Sequence, residues 1–413
     1  MSTITDSKLI DEFDAVVAGA PVVDRHQVFA RLRRELPIFY SEAMSAWVLT
    51  RYDDVKAVLQ DGEGFVPITE GPGASVFGGG FFHWRGREHN KKAGIVGRRI
   101  RSPRALRVEI SGKVSEIART VAGALPLGAP VDLREGYTVL VPLLVISQLT
   151  EIDEAAKLRH WYDTIMAGGT SSIGNPGARE AALAAMKELK DFLVPLLAER
   201  RENPGEDLVS DLVTARYDGQ PLPDDEIVSI VGQLLPAGVE TTERVLTSAL
   251  RRLAGDRGLW ERLRAVRDSD DSLASFGAEA LRFYPPIQAA NRVALSETTV
   301  AGRAISAGEK TVAVLASANR DAERFEDPQR FDPNRFLDGP DRQYTSAGDV
   351  LPFGAGTHHC TGSRLAKVEI VEALRALLDR VAWIEPLEEA PDVGGLVLWS
   401  PRSLNVRLHP ADR

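Results

Sequence analysis

Cysteine is almost absent from this chain: of 413 residues only Cys360 carries a thiol. That count excludes an intramolecular disulfide framework and suits a reducing cytosol. It also excludes an iron–sulfur cluster, which takes several thiolates. Long apolar runs are missing too. The longest, Val139 to Ile146, is too short to span a bilayer and contains Pro142. The N-terminus, Met1 to Lys8, has no charged-then-apolar pattern, so the expectation is a soluble, cytoplasmic protein. No Pro/Ser-rich linker, repeat or low-complexity tract divides the chain. Length alone would admit two or three domains, but residues 1–413 read as a single domain with 1–20 a poorly structured lead-in. Net positive charge is lacking: 50 Lys and Arg stand against 59 Asp and Glu, a net −9. An acidic surface repels polyanions, which argues against nucleic acid as a partner.

What is present centres on Phe353-Gly354-Ala355-Gly356-Thr357-His358-His359-Cys360-Thr361-Gly362. The glycines let the backbone turn sharply and approach a flat partner. Leu365, Ala366, Ile370, Leu374, Leu377 and Leu378 follow at helical spacing, which puts Cys360 at a helix N-terminus. Free N–H groups and the positive dipole end there favour a thiolate. A lone thiol is usually a buried structural residue, yet one set among glycines and histidines ahead of a helix fits that poorly. One thiolate cannot build a zinc site, but it can hold haem iron from one face and leave the other open. The run resembles the haem-binding signature of the cytochrome P450 monooxygenases, Phe-Gly-x-Gly-x-His-x-Cys-x-Gly, at every fixed position. The resemblance implies haem b with Cys360 as iron ligand, Phe353 packed beside the sulfur, His358 on a propionate and Gly362 within the cofactor-binding loop. It further implies a mostly α fold with a smaller β region.

The other motifs fall in the matching order. Val28, Phe29, Leu32 and Leu36 mark a helix over 24–36, a hairpin follows at 38–40 and 47–50, and Asp53 or Asp54 caps the next helix. The glycine-rich stretch 66–82, with Phe77, Phe81 and Phe82, is long enough to be functional and by the resemblance covers the distal pocket. From Arg85 to Arg107 there are nine Lys or Arg against one acid, Glu88. Most such runs are solvated faces. The resemblance places a propionate-binding His at His89 and an Arg at position 93, where this chain has Ala93; Lys92 is the nearest substitute. Helices are expected at 104–123, 136–149, 154–167 and 179–202, with Gly168 to Gly177 a connector over the substrate entrance.

The segment 224–253 reads as one long helix whose middle, Pro236-Ala237-Gly238-Val239-Glu240-Thr241-Thr242, is poor helix material. A tolerated kink is the plain reading. The family's Ala/Gly-Gly-x-Asp/Glu-Thr motif implies instead that Ala237 lies against the cofactor and that Glu240 and Thr241 relay protons. Glu279 and Arg282 share a helix face. Alone they suggest a surface pair of little worth; with Arg335 they match the family's buried Glu-x-x-Arg network behind the cysteine. Arg292 falls where the family binds a propionate. Leu396–Leu398 and Leu404–Val406 are expected as a terminal hairpin. By position, Leu234, Ala237, Ile287 and Leu398 line an apolar substrate pocket.

The implied activity is monooxygenation, inserting one atom of O2 into a small apolar organic molecule by hydroxylation or O-dealkylation. The chain has no flavin or cluster segment, so electrons are expected from a separate ferredoxin and reductase. Lys91 to Arg107, with Arg364 and Lys367, would form the docking face for that acidic partner. Two alternatives stay open: a peroxygenase using hydrogen peroxide, against which the Glu240–Thr241 relay speaks, and a non-catalytic haem sensor. Phenolic, terpenoid and fatty substrates are all compatible.

Overall fold

The computed structural model describes residues 4–19, 24–68, 76–81, 83–170, 176–390, 392–393 and 395–411; Phe82 and 171–175 of the expected entrance loop lie outside them. Helices hold 58% of the chain, with small sheets at the periphery. The expected mostly α fold with a lesser β part is what forms.

The long helix organises the molecule. It runs as Asp224–Leu235, widens into a π turn at Pro236–Glu240, and resumes as Thr241–Ala254. Asp224, Asp225 and Glu226 occupy its first turn, where the dipole is positive. Pro236 has no N–H to give the preceding turn, so the hydrogen-bond ladder loses a rung and the backbone opens there. Two apolar clusters meet at this opening. Ile227, Val231, Leu235 and Val239 pack with Val145, Trp161, Leu189 and Leu193. Leu246, Leu250 and Leu253 pack with Trp260, Phe276, Leu374 and Leu377, the last two from the cysteine helix Ser363–Arg380.

The main sheet joins distant parts of the chain. Its strand order is Ile38–Ser41, Ala46–Leu49, Lys310–Ala313, Ala290–Ala294, Phe65–Pro67. The one parallel pairing sets Val48 beside Val312. Strands Val381–Pro386, Asn405–Pro410 and Pro130–Asp132 form a second, antiparallel sheet.

Three expectations change. The N-terminal stretch is not a loose lead-in: Ile4–Val17 is a helix, because Leu9, Phe13 and Val16 on one face bury against Phe29, Phe39 and the sheet. Gly168 and Gly169 end a helix, Ala155–Thr170, rather than open a connector. A Cβ on Gly168 would sit 2.3 Å from Ala182 Cβ, so glycine here permits close packing against helix Pro176–Glu202. The terminal hairpin does not form either. Asn405–Pro410 pairs with Val381–Pro386, and Leu398 makes an isolated bridge to Ile287. An apolar pattern identifies a strand but not its partner.

Candidate functional site

The cysteine loop is held by two reversals. Gly354 and Gly356 have φ of +71° and +67°, ahead of a 3-10 turn at Gly356–His358. A Cβ on Gly356 would lie 2.7 Å from Gln60 Cα, so only glycine lets the loop rest on helix Tyr52–Gln60. The Cys360 N–H donates to the Phe353 carbonyl at 2.8 Å, bringing Phe353 beside the cysteine. Cys360 is open to solvent yet has protein on nearly every other side, so it lies on the floor of a deep opening. Burial pushes its thiol above the usual value. The Gly362 and Ser363 amides and the Arg101 charge oppose that shift without overcoming it. A helix N-terminus alone therefore does not give the expected thiolate. A metal would, since coordination deprotonates a thiol outright.

On the long helix the small residues divide their work. Ala237 is exposed in mid-molecule, on the open side. Gly238 faces the other way: its Cβ would meet Ile146 Cδ1 at 2.8 Å, so its smallness serves packing against helix Leu140–Thr150. The Thr241 hydroxyl donates to the Ala237 carbonyl at 2.9 Å. Glu240 is buried and accepts from Tyr162 Oη and, at 2.6 Å, from Arg244 Nε. The two relay candidates are neighbours in sequence, but their hydrogen bonds run in different directions.

A second feature is a cluster of nitrogen donors with one positive charge and no acid beside it among the described residues. His89 and His358 stack with ring centroids 4.2 Å apart, and the buried Nδ1 of His89 has no partner among the described residues. Arg292 is buried, and among the described residues its one side-chain hydrogen bond goes to the Asn291 carbonyl. Burial draws the guanidinium down to about 10. It also draws His358 down to about 4, helped by the charges of His89 and Arg292. Three donors with no carboxylate among them suit an anionic group. Lys92 does not join them. It donates to Glu88 at 2.7 Å and Glu226 at 2.5 Å and lies over the Tyr217 ring, tying its helix to the start of the long one. Arg101 is the better substitute at the gap left by Ala93. It folds back over Gly97, where a Cβ would meet its Nε at 2.6 Å, and its charge reaches His89, His359 and Cys360.

Behind the loop, Glu279 and Arg282 are fully buried and doubly bonded at 2.7 and 2.8 Å; Arg335 Nε adds a third bond to Glu279 at 3.2 Å. Arg282 Nη1 donates to the Asn319 carbonyl, Asn319 Oδ1 accepts from Leu351 N–H, and the Leu351 carbonyl accepts from Gly354 N–H. The network thus reaches the cysteine loop through one asparagine. A buried acid that the sequence reading missed, Glu369, accepts from Thr242 at 3.2 Å with its other oxygen unpartnered among the described residues; burial lifts it to about 8. Its position seven residues into the cysteine helix, amid apolar residues, was the available signal.

The pocket guesses converge in part. Leu234 and Leu398 share one apolar cluster with Phe77 and Phe81, and Ile287 meets Leu398. Phe81 N–H also donates to Gln233 at 2.8 Å, which ties the described part of the glycine-rich stretch to the long helix. The basic run is partly compensated: Arg87 and Lys91 pair with Asp218 and Arg99 with Asp211, while Lys367 on the cysteine helix pairs with Asp341. Arg98, Arg101, Arg104, Arg107 and Arg364 have no acidic partner among the described residues.

Comparison with known proteins agrees with this geometry. The family model described as Cytochrome P450 matches residues 91–268 and 273–406. Nocardicin C N-oxygenase of Nocardia uniformis subsp. tsuyamanensis is 31% identical over 411 residues, covering 94% of this chain and 97% of that protein. Linalool 8-monooxygenase of Pseudomonas putida is 27% identical, covering 93% and 96%. The crystal structure of CYP109E1 from Bacillus megaterium in complex with testosterone superimposes with a TM-score of 0.81 at 26% identity, covering 94% of this chain and 99% of that one. The chain belongs to the cytochrome P450 family of haem-thiolate monooxygenases.

Proposed function

We propose that this chain, acting as one haem domain, inserts one atom of O2 into a small apolar organic substrate, by hydroxylation or O-dealkylation. Its electrons come from a separate ferredoxin and reductase. As a family member it binds haem b through a cysteine thiolate and works with redox partner proteins. Its residues fit that cofactor: an accessible cysteine on the floor of an opening, with a His89 Nδ1 that has no partner and an Arg292 that has no acidic partner among the described residues. Cys360 is the iron ligand. His89, His358 and Arg292, joined by Arg101, hold the propionates; Phe353 and Gly362 shape the loop; Ala237 faces the group. When bound, the haem supplies reductive activation of dioxygen, favoured by thiolate donation.

The chain's own part is to bind, exclude water and move protons. Leu234, Ile287, Leu398, Phe77 and Phe81 offer only apolar surface, which selects the substrate class and desolvates it. Thr241 holds a hydroxyl on the open side, and Glu240, one residue before it, is the proton donor behind. Glu279, Arg282 and Arg335 fix the cysteine loop from the rear. Among the described residues no helix is long and apolar enough to cross a membrane, which supports a cytoplasmic enzyme.

The observation that carries this reading is the solvent-accessible Cys360 at the end of the glycine-turned loop. The reduced protein under carbon monoxide should show the red-shifted Soret band of thiolate-ligated haem, and Cys360→Ser should abolish it. An unchanged band in the variant would refute the ligand assignment.

A further inference from the structure

Both carboxylate oxygens of Glu240 accept hydrogen bonds, from Tyr162 and Arg244. A proton handed on by Glu240 must therefore first reach it from elsewhere. One turn further along the helix stands a second acid, Glu243, with no exposed side-chain surface. Residues three apart lie on one helix face, with Cβ atoms about 5–6 Å apart. Arg244 lies between the two acids, its Nε 2.6 Å from Glu240 and 4.0 Å from Glu243.

Around Glu243, Arg134 Nη2 approaches one oxygen at 3.3 Å. Thr247 Oγ1 stands 3.3 Å from the other. The Thr247 hydroxyl proton is taken up by the Glu243 carbonyl at 2.8 Å, so its oxygen is free to accept from a protonated Glu243. Thr138 Oγ1, 2.7 Å from Thr247, closes the back of the site. Arg134 also donates to Glu135 at 2.5 Å, and Glu135 has half its side chain in solvent and accepts from Arg159. A line of ionisable groups thus runs from the surface at Glu135, past Arg134, to Glu243, and ends at Glu240.

We propose that Glu243 is the proton store of the relay: it holds a proton in the interior and gives it to Glu240. This rests on Glu240 and Thr241 serving as the relay. In the step, the proton leaves the Glu243 carboxyl for the Glu240 carboxylate. The new Glu243 anion is held by Arg134 until a proton from solvent, entering beside the half-exposed Glu135, restores it. No electron moves. The electrostatics agree: burial lifts Glu243 to about 7, with the Glu240 charge adding to the shift and Arg134 and Arg244 opposing it. The facing helix contributes Tyr162, whose own ionisation is pushed far up by burial and the two acids. A plain structural ion pair would keep Glu243 charged at all working pH values.

The test uses the holoenzyme. Infrared difference spectra across neutral pH, on the ferric substrate-free protein, should show, besides a Glu369 band near 8 that Glu369→Gln removes, a protonated-carboxyl band titrating near 7. It should be lost in Glu243→Gln and kept in Glu240→Gln. Absence of the band in wild type, or its survival in Glu243→Gln, overturns the proposal without recourse to turnover. In turnover, product formed per electron consumed should fall in wild type as pH rises through 7, where the store empties. Glu243→Gln should lower the rate at least about a hundredfold at all pH, the lower end of the range for general acid catalysis. It should also lose the pH step while binding substrate as before, and Glu243→Asp should restore the step. If Glu243→Gln keeps both rate and pH step while Glu240→Gln fails, the store is refuted and the relay stands. If Glu240→Gln also behaves as wild type, the relay itself falls.

Discussion

Removing the Glu279 carboxylate should be among the most damaging single changes outside the cofactor site. Glu279 has no exposed side-chain surface and accepts four N–H groups: two from Arg282, one from Arg335 and the Asp332 amide at 2.8 Å. Glu279→Ala leaves Arg282 in place with its bonds to the Asn319, Pro328 and Arg330 carbonyls. Those bonds satisfy three of its five N–H donors, leave the Nε donor and one Nη2 donor bare, and do not neutralise its charge. Stranding a buried partner in this way costs about 3–5 kcal/mol, about a fifth or more of the roughly 5–15 kcal/mol that holds a typical fold. Arg335 is different. It is 13% exposed and leaves behind a Glu279 still doubly bonded to Arg282, so Arg335→Ala should cost about 1–2 kcal/mol. The double variant should fall short of the sum by about 0.5–3 kcal/mol, because the two share Glu279. Urea unfolding of the holoproteins, followed by circular dichroism, measures all three. Equal costs for the two single variants, or a Glu279→Ala cost under about 1 kcal/mol, would refute the view that burial of the pair sets the penalty.

Three further outcomes follow from the geometry. Glu369 is lifted from 4.5 to about 8, so the folded state binds its proton more tightly than the unfolded chain. The resulting penalty is absent below pH 4.5, grows between the two values and is complete above 8, so Glu369→Gln should be the more stable protein at pH 9, by about 4–5 kcal/mol at most, and equal to wild type at pH 4; unfolding titrations at both ends check this. Gly356→Ala should lose haem, because its Cβ would strike Gln60 backbone, whereas Gly354→Ala, 3.5 Å from its nearest neighbour, should cost only the roughly 1–2 kcal/mol of a left-handed φ; haem content by absorbance separates them. Charge reversal at Arg98 should slow reduction by an acidic ferredoxin at low salt and not at high salt, while reversal at Lys91, already paired with Asp218, should affect the rate much less; stopped-flow reduction decides.

The motifs that sequence exposes best are those whose chemistry is local. The cysteine loop needs its glycines within three residues of each other, and Glu279 and Arg282 meet because a helix places them so. A disturbance at Pro236 was legible for the same reason, since a missing N–H acts on its own ladder, although its form as a π turn was not. What stayed hidden depends on contacts between distant segments. Glu240 is held by Tyr162, 78 positions away, and Lys92 by Glu226, 134 away, and nothing in either neighbourhood names the partner. The partners of the basic run were hidden in the same way: its acids lie at Asp211, Asp218 and Glu226, far along the chain. Leu396–Leu398 misled for a different reason, since a strand pattern carries no address for its neighbour.

The parallel pairing of Val48 with Val312 also bears on how the protein is made. At about 5–20 residues per second, a ribosome takes on the order of 10–50 s to travel between these two strands. Throughout that interval the Ala46–Leu49 strand has a bare edge on the side that Lys310–Ala313 will occupy. The end of helix Tyr52–Gln60 waits longer still, for the loop at Gly356 to settle on it. Cofactor capture is therefore a terminal event of biosynthesis, and nascent chains stalled before the cysteine loop should bind no haem while displaying an adhesive strand. Slow synthesis or scarce haem should accordingly appear first as aggregation of incomplete chains rather than as inactive full-length enzyme.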